Sequence, residues 1–80
     1  MTVNILAFGI AKEIIGTSST GIPVDDGILA EDLKAKLEQQ FPRLKELTSF
    51  MIAVNGEYAM PGRLIKAGDE VAVIPPVSGG

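Results

Sequence analysis

Eighty residues, 46% apolar and 21% charged, are enough for one small globular domain built on a single hydrophobic core. With no cysteine and no histidine there is no disulfide, no thiol nucleophile and no Ser-His-Asp constellation, so self-contained hydrolytic catalysis is not expected. Seven basic against ten acidic residues leave a net charge of −3, the wrong sign for binding nucleic acid or an anionic membrane surface.

Thr2–Phe8 reads as a strand. Val3, Ile5 and Ala7 fall on one face, and Asn4, Leu6 and Phe8 on the other. No basic segment precedes these apolar residues, and no apolar run approaches the ~20 residues that span a bilayer. A cytoplasmic protein is expected. Gly9 ends the strand, and Ala11–Ile15 reads as a helical turn stopped by Gly16. Thr17–Gly21 has turn chemistry. Ile22-Pro23-Val24 is a short strand, placed at an edge by its proline. Thr2–Val24 is thus a hairpin with a long, decorated turn.

Leu29, Leu33, Leu37 and Phe41 recur every four residues, with Glu31, Lys34, Glu38 and Gln39 facing away. That stripe predicts an amphipathic helix of about three turns. Asp25 and Asp26 are placed to favour its positive N-terminal end. Pro42 stops it and starts a short second turn through Arg43–Leu47. Phe50–Val54 is an apolar run of strand length. Asn55-Gly56 is a strong hairpin signal, and Glu57–Met60 is the expected return strand. Gly68-Asp69 turns the chain into a last strand, Glu70–Ile74, which Pro75-Pro76 terminates.

The strand and main-helix order is β, β, α, β, β, β. One apolar stripe can cover one face of one sheet. The first and last strands are apolar on both faces and suit central positions. The expected class is α+β: a β-grasp, or ubiquitin-like, mixed sheet of about five strands with one main helix on one face. The domain is placed at 1–75, with a flexible Gly-Gly tail at 76–80.

The chain closes on Pro75-Pro76-Val77-Ser78-Gly79-Gly80. Two glycines give a backbone of narrow cross-section that fits a tight channel, and the prolines stiffen the base of the arm. That hexapeptide, with Ala7–Gly16, Ala53-Val54-Asn55 and Ala67–Ala72, resembles the small, sulfur-carrying subunits of molybdopterin synthase from end to end. Thiamine sulfur carriers are similar in fold, in the Asn55-Gly56 turn and in the terminal Gly-Gly. They usually lack the double proline and the segment equivalent to Gly9–Gly16. Many relatives have Arg where this chain has Lys12, which keeps the charge of a possible electrostatic contact but loses the planar fork.

The resemblance implies a non-catalytic subunit that binds no cofactor itself. A ubiquitin-activating-like adenylyltransferase would use ATP to adenylate the Gly80 carboxylate, and a sulfur donor would convert it to a thiocarboxylate. The tail, with Gly79 threading, would enter the large catalytic subunit and donate sulfur to cyclic pyranopterin monophosphate. Partner contacts are expected from Phe8, Tyr58, Ile74, Pro75, Pro76, Val77 and Ser78. Leu6, Phe8, Ala53, Tyr58 and Ile74 share the sheet face away from the helix, which reads as a docking patch.

Other groups read more plainly. Asp25-Asp26 and Glu31-Asp32 lack the alternating spacing of an oxygen-rich metal loop and read as solvated charge. Lys12, Arg63 and Lys66 read as surface, and Met51 and Met60 as packing. The alternatives are a carrier for thiamine or cysteine synthesis, a ubiquitin-like conjugation system, and a β-grasp interaction module with an incidental Gly-Gly.

Overall fold

Alternation along the strands builds the sheet. The computed structural model describes residues 1–47 and 50–75. In β1 (Thr2–Ala7), Val3, Ile5 and Ala7 are buried, while Asn4 is exposed and Leu6 half-buried. β1 pairs antiparallel with β2 (Ser19–Pro23), from Thr2↔Pro23 to Leu6↔Ser19. It pairs in parallel with β5 (Glu70–Ile74), from Asn4↔Glu70 to Ala7↔Val73. β3 (Met51–Val54) lies antiparallel on the other side of β5, and β4 (Glu57–Tyr58) pairs with β3. The order is β2-β1-β5-β3-β4, so the two strands apolar on both faces are inside the sheet and the proline-bearing β2 is at its edge.

The helices supply the other half of the core. α2 (Ala30–Gln40) buries Ala30, Leu33 and Leu37, as its four-residue repeat predicts. Leu33 and Leu37 are fully buried against Ile5, Val54, Val71 and Val73 in one cluster. Phe41 closes the helix and is half-buried. Pro42 opens a 3-10 turn, Pro42–Glu46, whose Leu44 joins the same core. Lys34 lays its ammonium 4.8 Å from the centre of the Phe50 ring.

Four expectations need correction. The segment after β1 is α1 (Gly9–Ile15), longer than one turn; Gly16, at φ 92°, closes it by donating to the Lys12 carbonyl at 2.8 Å. It is stable despite its length because Ala11 is fully buried, which supplies the tertiary packing that an isolated short helix lacks. The second strand begins earlier than Ile22, at Ser19, because Leu6↔Ser19 and Ile5↔Thr20 continue the ladder. Asp25 and Asp26 precede the helix rather than opening it. The first turn of α2 carries Glu31 and Asp32, and Asp26 instead lies 3.5 Å from the Met1 amino group.

The return strand is only Glu57–Tyr58. After Ala59 donates to the Ile52 carbonyl at 2.8 Å, the chain leaves the ladder to brace the start of α2. There the Arg63 carbonyl accepts from Ala30 N–H at 2.8 Å, and Ile65 N–H donates to the Ile28 carbonyl at 3.0 Å. The turn before β4 is of the mirror-image hairpin type, with Asn55 at φ 52° and Gly56 at φ 83°.

Candidate functional site: the outer sheet face and the Pro75 end

The register assembles the candidate patch. Leu6 lies opposite Ala72, Ala72 opposite Ala53, and Ala53 opposite Tyr58, so four strands contribute to one row. Beside it, Met51 lies opposite Ile74. Phe8 follows β1 at the same end of the sheet. Phe8 is 52% exposed and Tyr58 59%, whereas the inner-face residues Val71 and Val73 of β5 have no exposure. Leu6 and Ile74 are half-buried, and Ala53 is covered without entering the core cluster. The outer face is therefore apolar and leaves Phe8 and Tyr58 more than half exposed at its margins.

Met51 was the residue that sequence reasoning missed. It is not packing: it is 49% exposed and shares the outer face with Ile74. Its signal was parity, since it stands two positions before Ala53 and so on the same face of the strand. Met60, 72% exposed, is not packing either. Lys12 is exposed and lines a shallow depression with Leu6, Phe8 and Gly9, placing one cation at the edge of the apolar patch.

The patch is framed by a polar staple at the start of β5. Asn55 donates its side-chain amide to Asp69 at 2.9 Å and accepts from Glu70 N–H at 2.9 Å. Asp69 also accepts from Lys66 N–H at 2.8 Å. That backbone N–H, then the Asn55 amide, hold the Asp69 carboxyl below its ordinary range. Glu31 is lowered likewise, chiefly by Gly62 N–H, which donates to it at 2.8 Å. Among the described residues, no group of three or more acidic side chains is placed to hold a metal ion. No described helix is long and apolar enough to cross a membrane.

The described chain ends at Pro75, half-buried on the flank of Gly9. Pro76, Val77, Ser78, Gly79 and Gly80, singled out above, lie outside the described residues.

Similarity to known proteins covers the whole of this arrangement. The ThiS family profile matches residues 5–80. A molybdopterin synthase sulfur carrier subunit from Chlamydomonas reinhardtii is 36% identical, with 100% of both chains covered. The structure of SAMP1 from Haloferax volcanii matches with a TM-score of 0.83 at 28% identity, also covering 100% of both chains. A chain in the complex of subunits 1 and 2 of the molybdopterin-converting factor from Helicobacter pylori matches with a TM-score of 0.67 at 27% identity, covering 100% of each. The chain therefore belongs to the ThiS family, with molybdopterin synthase sulfur carrier subunits as relatives over its full length.

Proposed function

We propose that this chain is the sulfur-carrying small subunit of a molybdopterin synthase, and that the carboxylate of Gly80 is its reacting group. The observation that carries the reading is the full-length similarity to sulfur carrier subunits, with the family profile running through Gly80. A carboxylate is a poor electrophile, so a ubiquitin-activating-like enzyme first joins it to AMP from ATP, releasing pyrophosphate. A sulfur donor then displaces AMP and leaves a thiocarboxylate. That sulfur is a far better nucleophile than the original oxygen; it attacks cyclic pyranopterin monophosphate in the active site of a large subunit, and water then cleaves the acyl–sulfur bond, leaving the sulfur on the precursor and restoring the Gly80 carboxylate. Two such transfers build the dithiolene of molybdopterin. The chain has no histidine or cysteine, so acid-base chemistry comes from its partners. It is a donor subunit and not an enzyme by itself.

Docking uses the open outer face, with Phe8, Tyr58, Met51 and Ile74 as apolar anchors and Lys12 at the margin. The complex of subunits 1 and 2 from Helicobacter pylori supports a large-subunit partner. Reconstitution with activating enzyme, ATP, sulfur donor, large subunit and precursor tests the reading. Wild type supports molybdopterin formation, and deletion of Gly80 abolishes it at unchanged stability. A Gly80-deleted chain that works at the wild-type rate overturns it.

The likeness to SAMP1, a small archaeal modifier protein, favours a second reading in which the same activated carboxylate is joined to a lysine of another protein. An isopeptide bond at Gly80 in the mass spectrum of cell extracts distinguishes it.

A further inference from the structure

The β1 and β5 strands run parallel, and β5 extends one residue further, to Ile74. Their last paired residues are Ala7 and Val73. Two residues on, β1 has turned into α1 at Gly9 and β5 has reached Pro75. Pro75 has no N–H and cannot extend the ladder. What it meets instead is the bare α-carbon of Gly9: a Cβ built there would lie 3.5 Å from Pro75 Cγ. Gly9 has φ +54°, the left-handed region that favours glycine. It is also held on both sides. Ala7 before it is pinned in the sheet, and Ala11 after it is fully buried and donates its N–H to the Phe8 carbonyl at 3.0 Å. The surface against Pro75 is therefore a fixed one.

We propose that Gly9 is a positioning residue for sulfur transfer: it seats the Pro75 ring and so sets the direction in which the tail leaves the domain. The inference rests on the sulfur-carrier reading. Five residues span at most about 17 Å, so the place of the Pro75 ring sets the starting point from which the Gly80 carboxylate must reach its target. Misplacement of a reacting atom by ~1 Å costs roughly 100-fold in rate. Any side chain at φ +54° strains the backbone, a β-branched one most, so Gly9→Ala, whose Cβ makes an ordinary contact with the ring, reports the strain, and the response of Gly9→Val to Pro75→Ala reports the ring contact.

The test uses the full chain, preloaded as thiocarboxylate, with the large subunit and precursor. Gly9→Val is expected to lower the single-turnover transfer rate at least tenfold while the Kd for the large subunit stays within threefold. Gly9→Ala is expected to keep most of the rate. Pro75→Ala, combined with Gly9→Val, is expected to recover part of the loss, because removing the ring removes the obstacle. A wild-type rate for Gly9→Val, or a loss that Pro75→Ala leaves unchanged, overturns the proposal. Should Gly9→Val fail to fold by circular dichroism, a wild-type nuclear Overhauser effect between the Gly9 α-protons and the Pro75 ring decides the seat, and its absence overturns it. A wild-type chain that folds and shows this effect but transfers no sulfur contradicts the carrier reading and not the seat.

Discussion

The two faces of the sheet are made from similar residues and do different things. The inner face of β1, β3 and β5 carries Val3, Ile5, Ala7, Ile52, Val54, Val71 and Val73, all buried beneath α1, α2 and the 3-10 turn. The outer face of the same strands carries Leu6, Met51, Ala53, Ala72 and Ile74, with Phe8 and Tyr58 more than half exposed beside them. Hydropathy alone does not separate these sets. Coverage does: one helical layer closes one face, and among the described residues no second layer lies on the other. Apolar surface on the inner face is a stability device, and apolar surface on the outer face is available to a partner.

Substitutions should separate the two roles. Leu33→Ala removes a fully buried side chain under the inner face and should destabilise the domain by about 2–5 kcal/mol. Small domains have little stability in reserve. A urea midpoint equal to wild type would remove Leu33 from the core. On the outer face, Phe8→Lys and Ile74→Glu should leave the unfolding midpoint nearly unchanged. Each should weaken binding to the large subunit by about 2 kcal/mol, the scale of an interface anchor. Unchanged affinity in a titration, with the fold intact by circular dichroism, would take the patch out of the interface.

A smaller effect is expected at the polar staple. Asn55→Ala loses two hydrogen bonds and puts alanine in a left-handed conformation, for a cost of about 1–2 kcal/mol. The smallest effect is in the pH profile. Asp69 and Glu31 are both held below their ordinary values in the folded chain. A depressed carboxyl contributes stability above its unfolded pKa, near 4, and loses it as pH falls through the folded value. Stability should therefore decline on acidification below about pH 4, and Asp69→Asn with Glu31→Gln should flatten that decline. An unaltered acid limb in the double variant would show that these two groups do not set it.

Much of the fold was legible because it rests on short periods. The leucine stripe of α2, the Val71-Val73 alternation, the Asn55-Gly56 turn and the edge position of Pro23 each follow from local geometry. What was not legible depended on tertiary partners. α1 gains its second turn from the burial of Ala11, and β4 stops at Tyr58 because the following loop is held by the start of α2. Met51 was misread as packing because a methionine in an apolar run gives no hint of which face lacks a cover. The outer-face placement of Phe8, Tyr58 and Ile74 follows from parity together with the single-helix argument. The tail was another matter. Gly79 and Gly80 have no periodicity and no side chains, so the residues suggested a narrow arm, and the chemistry proposed for Gly80 came only from likeness to a family.

That role is where the account is most exposed. Intact-mass analysis of the chain after incubation with ATP, activating enzyme and sulfur donor tests it directly. Wild type should show one oxygen replaced by sulfur, located at the C-terminal Gly80 by fragmentation. A variant with one residue added after Gly80 moves the carboxylate by about 3.5 Å and should yield no molybdopterin in the coupled reaction. An unchanged wild-type mass with a demonstrably active activating enzyme, or an untrimmed extended variant that transfers sulfur at the wild-type rate, would contradict the sulfur-carrier assignment.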